Sequence, residues 1–228
     1  MARTHRSRSS SVRERRRHRE RAIVEATRAT FDRRMRRDAS VDELAHRAGL
    51  SKALVYRAFD SKEEIFVLTL TDYLGELATR LQTPPDGGPV DELRAVSTCY
   101  AEFCLEYPAF VDCAMALMQR PASELREEVS GAIWRRLGGA LASCVGPMQR
   151  ILRDGADQGL FKVEEPDYLA NRLCVQMLGS VHLARSGMGV RETAPGVAGL
   201  FEIDPRRVVD DCVSDALALV GVREGAPA

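Results

Sequence analysis

The organisation of this chain can be read from residues 40–65, which are SVDELAHRAGLSKALVYRAFDSKEEI. Ser40 and Glu43 have the spacing of a capping box, in which each side chain satisfies a free backbone N–H of the other residue, so a helix is predicted to begin at Val41. Gly49 can take the left-handed backbone conformation that ends a helix. The sequence therefore predicts a short helix followed by a glycine turn.

A second short helix is predicted from Lys52 to Phe59, with Ser51 as its N-cap. Two short capped helices around a glycine turn are typical of a helix-turn-helix, whose second helix reads base edges in the major groove of DNA. Apolar Leu54 and Val55 can face the neighbouring helices together with Phe59. A capped, solvated helix pair without a DNA partner is the alternative. The DNA-binding candidates are Lys52, Ala53, Tyr56 and Arg57 for the groove, and Ser40, Ser51 and Lys62 at helix N-termini, where backbone amides favour phosphate.

Charge is distributed unevenly along the chain. Residues 1–62 contain 18 Lys and Arg against 8 Asp and Glu, a net charge of +10, and residues 63–228 carry the compensating −10. Residues 1–12 are rich in Arg and Ser and predict a disordered basic arm, after which a basic helix is expected to begin at Val12 or Arg13. A basic block attracts phosphate whatever charge lies elsewhere. We therefore hypothesise that the arm enters the minor groove or lies along the DNA backbone.

The remaining sequence keeps a helical hydrophobic period and predicts no strand, so the expected fold class is all-α. A long fourth helix is expected from a capping box at Ser61 to Gln82, before a linker rich in Pro and Gly. Residues 187–203, with several glycines and Pro195, are predicted to be a loop. The other helices are expected at Val90–Glu106, Pro108–Met118, Ser123–Gln158 with a kink at Gly146-Pro147, Pro166–Ser186 and Pro205–Val222.

Roughly residues 20–66 resemble the N-terminal signature of TetR-type transcriptional regulators. The signature comprises the AGLS turn at 48–51, the YRAF helix end at 56–59 and the SKEE helix start at 61–64, all in register. The resemblance implies a three-helix DNA-binding domain that recognises a double-stranded DNA operator. It also implies that phosphates are contacted by Ser40, Ser51, Tyr56 and Lys62, and that bases are approached by Lys52, Ala53 and Arg57.

Two departures from the family pattern change these expectations. The family often has a glycine shortly before the second helix, where this chain has Arg36-Arg37-Asp38-Ala39. The family also has an aromatic residue or His at the position of Ala58. We therefore expect one turn to differ and one phosphate interaction to be missing.

The resemblance further implies that residues 63–228 form a helical domain that binds a small molecule among its middle helices and forms a homodimer through its last two helices. Residues 151–161, ILRDGADQGLF, resemble the helix end that precedes those two helices in the family. Adaptable apolar side chains suit a small hydrophobic ligand. An ordinary core position is the alternative for each candidate. The candidates are Phe103, Tyr107, Phe110, Cys113, Met115, Met118, Trp134 and Met177.

These expectations divide the chain into a basic arm (1–12), a helix-turn-helix domain (13–62) and a ligand-binding and dimerisation domain (63–228). The predicted function is a repressor that a ligand releases from a palindromic operator by moving the fourth helix, Lys62 to Gln82. The alternative is a DNA-binding regulator whose C-terminal domain serves only dimerisation or protein contacts.

We expect no reactive or metal-binding role for the cysteines and no ligand-binding role for one histidine on an apolar helix face. The six cysteines lack CxxC pairing and zinc-spaced His, and predict buried, reduced thiols, of which only Cys144 and Cys212 have plausible exposure. His182 lies beside Leu183 on an apolar helix face and is predicted in the core or a dimer interface, with a ligand contact as the alternative.

Other classes of protein lack support in the sequence. No Ser/His/Asp motif, phosphate-cradling Gly loop or metal-ligand set is present, so neither an enzyme nor a cofactor is expected. The acidic pairs at 164–165 and 210–211 predict a solvated face rather than a metal site. No apolar run approaches the ~18 residues of a membrane span, and the first residues do not resemble a secretory signal, so a cytoplasmic protein without a membrane partner is expected.

Overall fold

The computed structural model of the chain describes residues 3–82 and 87–222, with side chains from residue 14 onward. Helices dominate these residues, which confirms the predicted all-α class. Their bounds are α1 (Arg3–Arg34), α2 (Val41–Arg47), α3 (Lys52–Ala58), α4 (Lys62–Arg80), α5 (Pro89–Glu106), α6 (Pro108–Met118), α7 (Ala122–Glu128), α8 (Gly131–Asp157), α9 (Pro166–Ser186) and α10 (Pro205–Leu219), with strands β1 (Met188–Ala194) and β2 (Val197–Glu202) between the last two helices.

The described residues form two compact units, and the division falls inside α4, α6 and α8. The first unit contains the chain up to Tyr73 together with Asp112–Gly139, and the second contains Leu74–Val111 and the chain from Ala140 onward. In the first unit α1, α2 and α3 pack on one another, and in the second α5, α9 and α10 do so. The predicted functional boundary at residues 62 and 63 stays a prediction.

Helix α1 begins at Arg3, so the predicted start at Val12 or Arg13 is wrong. The segment from Arg3 to Arg34 contains neither Gly nor Pro, the two residues that most strongly oppose a helix. No residue in this segment therefore interrupts the helix.

Residues 123–158 do not form the single helix that periodicity predicts, because α7 ends at Glu128 and α8 begins at Gly131. Val129 between them is extended, with φ −121° and ψ 146°, and it is buried. The Ser130 amide donates to the Glu64 carboxylate at 2.8 Å. The buried Glu64 carboxylate, from a distant part of the chain, thus accepts a hydrogen bond from an amide near the helix break. Pro147 lies inside α8, and the predicted kink at Gly146-Pro147 stays a prediction.

Residues 188–202 form an antiparallel hairpin, so the prediction of a loop without strands is wrong here. Gly196 turns the chain with φ +75°, next to Pro195. On either side lie Val190 and Leu200, which face each other across the strands and suit a sheet. The density of glycine concealed this pattern in the sequence. In the parts of the chain that the structure describes, no helix has the length and apolar character of a membrane span.

Candidate nucleic-acid interface

Serine side chains cap α2 and α3 as predicted. Ser40 Oγ accepts from the Glu43 amide at 3.2 Å, and Ser51 Oγ accepts from the Leu54 amide at 3.4 Å. Gly49 has φ +65°, the left-handed conformation expected of the turn between the helices. The local sequence thus places two short helices at a fixed junction, with both serines exposed at helix N-termini.

The buried face of this motif is apolar. Leu44 and Ala45 of α2 pack in the core with Val55 of α3, and Phe59 directly after α3 is buried as well. Phe31 of α1 completes this core. The burial of the apolar side of α3 therefore determines which side of this helix faces solvent.

That remaining face of α3 presents all four predicted groove residues to solvent. The exposed residues are Lys52, Ala53, Tyr56 and Arg57, and Lys62 at the start of α4 is exposed as well. Tyr56 leaves about half of its surface, 52%, in contact with solvent, which is unusual for a tyrosine and leaves its hydroxyl accessible to a phosphate oxygen. Arg57 makes no ion pair with any residue whose side chain the structure describes. The arrangement presents two cations and a phenol on one exposed side of α3.

Lys52 is the one groove candidate with an acidic neighbour among the described side chains. Its Nζ lies 2.9 Å from the Asp42 carboxylate, and this hydrogen bond raises the pKa of Lys52. Both side chains are more than half exposed, so the pair adds little to stability. Lys52 is therefore charged and can exchange Asp42 for a DNA group.

The turn before α2 is closed by a residue with a side chain, and whether it differs from the family's turn stays a prediction. Met35 closes α1 in the left-handed conformation with φ 55°, and the Arg36 amide reaches back to the Phe31 carbonyl at 3.2 Å. This is the helix-ending motif that normally uses glycine, here adopted by a residue with a side chain. Ala58 is buried, and its carbonyl accepts from Arg16 at 3.4 Å. The expected absence of a phosphate interaction at Ala58 stays a prediction.

Glu64 is a central residue that sequence reasoning placed in a capping box but did not recognise as a link between distant segments. Only 2% of it is exposed, and its two carboxylate oxygens accept from the Asp60 and Ser130 amides, each at 2.8 Å. Ser61 adds a second link by donating its hydroxyl to the Glu128 carbonyl at 3.0 Å. The start of α4 is thereby joined to the α7–α8 turn inside the first unit. Its acidic type and capping position did not distinguish Glu64 from Glu43, whose carboxylate instead pairs with Arg34 at 2.9 Å.

The predicted ligand-binding residues fall in both units. Phe103 is the centre of an aromatic cluster in the second unit, and its ring centroid lies 4.8 Å from that of Tyr107 and 5.2 Å from that of Phe110. Met177 belongs to the same unit and is buried. The residues of the first unit are Cys113, which is buried, Met115 and Trp134, which are half-buried, and Met118, which is exposed.

A cavity of about 90 Å³ lies in the first unit, between the N-terminal half of α4, α6 and α7. Cys113 is the one predicted ligand residue that lines it, and the Arg37–Glu63 ion pair, at 2.7 Å, lies at its wall. Ligand pockets usually measure about 300–1,000 Å³. This cavity is therefore too small for a typical drug-sized ligand, and the ligand site stays a prediction.

The cysteines are free thiols, of which five are buried and Cys99 is half-buried. The expectation that Cys144 and Cys212 are the exposed ones is wrong, because both face the interior of the second unit. His182 is exposed on α9, so a core position is excluded and the dimer interface stays a prediction. In the described part of the chain, no three His, Cys, Asp or Glu side chains are grouped as metal ligands.

Comparison with known proteins agrees with this geometry. Residues 23–68 match the family model of bacterial regulatory proteins of the tetR family. This match confirms the resemblance of the N-terminal residues to the DNA-binding domain of that family. No curated protein matches the chain.

Several solved structures share the fold. A regulatory protein of the tetR family from Rhodococcus RHA1 is 18% identical, with a TM-score of 0.63, and the match covers 90% of this chain and 98% of that one. RolR in complex with resorcinol is 15% identical, with a TM-score of 0.63 and coverage of 92% and 90%. The transcriptional regulator PfmR from Thermus thermophilus is 20% identical, with a TM-score of 0.55 and coverage of 89% and 98%.

Proposed function

We propose that this chain, which carries a tetR-family DNA-binding domain at residues 23–68 and has the fold of TetR-family transcriptional regulators, is a homodimeric repressor released from a palindromic operator by a small hydrophobic ligand. The observation that carries the DNA-binding part is the solvent face of α3, where Lys52, Ala53, Tyr56 and Arg57 are all exposed. Such a face can insert between the edges of the major groove.

Selection of binding sites from a random duplex library tests the DNA-binding part directly. A dimer with two copies of α3 about one helical turn apart should enrich inverted half-sites with centres about 10–11 base pairs apart, or a multiple of this. Enrichment of a single half-site, or of no sequence at all, would contradict a palindromic operator. Transcription in vitro from the enriched site then separates a repressor from an activator.

The release by a ligand is supported by the aromatic cluster of Phe103, Tyr107 and Phe110, and by RolR, a protein of the same fold that was solved with resorcinol bound. A ligand that prefers the folded state raises the melting temperature by mass action. Thermal melts with small aromatic, lipid and metabolite panels should therefore find compounds that stabilise the protein and also reduce operator binding. Stabilisation without any loss of operator binding would favour the alternative, in which the second unit serves only dimerisation or protein contacts.

The coupling between ligand and DNA is supported by the bonds at the start of α4. Lys62 begins this helix beside α3, and Glu64 and Ser61 tie its first turn to Ser130 and Glu128. A ligand that shifts the α7–α8 turn would displace the first turn of α4 and with it the phosphate-facing Lys62. Crystals with and without ligand should show different separations between the two α3 helices of a dimer, and equal separations would contradict this coupling.

Dimerisation through α9 and α10 is supported by the exposed side of α9. Tyr168, Val175 and Leu183 are large apolar residues on that side, and each is more than half exposed. Their helical spacing places them on one face, which is typical of a helix that packs against a partner.

A further inference from the structure

The hairpin of β1 and β2 is exposed on both of its faces, although it carries several large apolar side chains. On one face, side chains of the hairpin itself lie over its glycines. A Cβ on Gly189 would lie 2.3 Å from the Phe201 ring, and one on Gly199 would lie 2.4 Å from Thr193. Phe201 and Thr193 therefore pack across the strands and fill this face locally.

The opposite face, which we call face A, consists of the cross-strand pairs Met188–Glu202, Val190–Leu200 and Glu192–Ala198. Its centre is apolar and uncovered, since Val190 is 71% and Leu200 58% exposed. Glutamates lie at its two ends. An isolated two-stranded hairpin is at best marginally stable in water, so a hairpin of this composition is expected to pack against another surface.

The exposed side of α9 offers a surface of matching chemistry. This α9 stripe consists of Tyr168, Arg172, Val175, Gly179, His182 and Leu183, which follow one another at helical spacing. Gly179 lies at mid-helix, and a Cβ there would meet nothing within 4 Å. A glycine in such a position costs about 1 kcal/mol relative to alanine. This cost is explained if another backbone passes close to Gly179 in the assembled protein.

The symmetry of the sequence around Gly179 suggests that the backbone passing close to it is α9 of a second copy of the chain. Val175 and Leu183 lie four residues on either side of Gly179. If two α9 helices cross antiparallel at Gly179 on a two-fold axis, Leu183 of one copy meets Val175 of the other, as an isologous contact requires. Both residues are exposed in the single chain, and both would be buried by this crossing.

The same crossing brings the hairpin to the N-terminal half of the second α9. Gly187 ends its α9 eight residues beyond Gly179, or about 12 Å along the helix. Arg172 and Tyr168 of the second copy lie about 10 and 16 Å from the crossing on the same side. We propose that face A packs on Tyr168 and Arg172 of a second copy of this chain, so that the hairpin is a dimerisation arm. Glu202, at the base of the hairpin, then lies near Arg172, and Val190 and Leu200 cover the Tyr168 ring.

This inference rests on the proposed homodimer and adds the arm to it. Its first test compares Val190→Asp with Val197→Asp in the full-length protein by sedimentation equilibrium. Both variants place a carboxylate on an exposed valine of the same hairpin, but Val197 lies near the turn on the face opposite to face A. We expect Val190→Asp to raise the dimer dissociation constant at least tenfold and Val197→Asp to change it less than threefold. Circular dichroism should be unchanged for both.

A charge exchange tests the contact itself. Arg172→Glu should weaken the dimer about threefold to fivefold, as loss of a partly exposed ion pair does, and adding Glu202→Arg should restore it. A chain that is monomeric before any substitution overturns the proposed dimer and the arm together. A stable dimer in which Val190→Asp and Val197→Asp behave alike, or in which the exchange restores nothing, overturns the arm alone and leaves the proposed function intact.

Discussion

Met35 shows how a single backbone position departs from what its residue type favours. It adopts φ 55° at the end of α1, a conformation that is unfavourable for residues with a Cβ, and its side chain is mostly exposed. Met35→Gly relieves this strain at little cost in packing and should raise the free energy of unfolding by about 0.5–1 kcal/mol. Urea denaturation measures this change. Met35→Ala keeps the Cβ and is the control, and an equal gain in both variants would show that strain is not the cause.

Arg57 is the exposed groove candidate that should contribute most to sequence reading, because a guanidinium can form two hydrogen bonds with guanine. Arg57→Ala should weaken binding to the selected operator by about 1–3 kcal/mol and leave binding to random DNA much less affected. Fluorescence anisotropy at fixed salt measures both affinities. Arg207→Ala removes an exposed arginine from α10 and should change neither. A uniform loss on both DNAs would assign Arg57 to phosphate rather than to a base.

The buried thiols should make the free energy of unfolding fall as the pH rises above about 9. Burial raises the pKa of Cys113, Cys144 and Cys174 to about 12 and that of Cys212 to about 11, above the unfolded value of 9.0. The folded state therefore holds these protons to higher pH, so their contribution is fully present below about pH 9 and is lost as the pH rises towards 12. Urea denaturation at several pH values in this alkaline range should show a falling free energy of unfolding. Cys144→Ala should make the fall shallower, and an unchanged fall would assign it to other groups.

Among the elements, those with strong local signals were predictable and those that depend on a distant partner were not. α6 and α9 begin at Pro108 and Pro166 and end where the sequence predicts, since proline favours the first turn. The break at Val129 is stabilised by Glu64, which is 65 residues away in the sequence, and the local turn signal of Ser130-Gly131 did not outweigh the helical periodicity around it. The solvent face of α3 was predictable because its apolar neighbours define it, whereas no spacing in the sequence marks a cavity for the ligand.

The junction of α4 with the α7–α8 turn should respond strongly to a change at Glu64. Glu64→Ala leaves the Asp60 and Ser130 amides without their carboxylate acceptor and should destabilise the protein by about 2–4 kcal/mol. Glu64→Gln retains only one carbonyl acceptor, so its stability should lie between that of the unsubstituted protein and that of Glu64→Ala. Thermal unfolding measures the order. Glu63→Ala is the control, because Glu63 is only half-buried and bonds to the Arg37 side chain. Equal effects at Glu63 and Glu64 would contradict a special role for this junction.

In the whole molecule, the separation of charge favours the N-terminal part as the part that meets DNA. Residues 1–62 carry +10 and the rest carries −10, so a polyanion attracts the N-terminal part and repels the remainder. This asymmetry is a property of the sequence alone and needed no structure. Part of this positive charge is neutralised within the first unit by carboxylates that follow residue 62, because Arg28 pairs with Asp72 and Arg37 with Glu63. The arginines without such neighbours should therefore dominate attraction to phosphate.

Deletion of residues 1–12 tests whether the N-terminal arginines take part in this attraction. The deletion removes Arg3, Arg6 and Arg8, and the slope of log affinity against log salt should fall by about 0.9 for each of them that binds a phosphate. Operator binding should weaken at low salt, and the slope should fall by up to about 2.7 if all three arginines bind phosphates. Anisotropy titrations at several salt concentrations give both quantities. A control with Arg191, Arg206 and Arg207 replaced by Ser removes equal charge from the exposed surface of the second unit and should leave the slope nearly unchanged. An unchanged slope after the deletion would show that these arginines lie away from DNA, and the basic surface of the helix-turn-helix would then account for the whole electrostatic attraction.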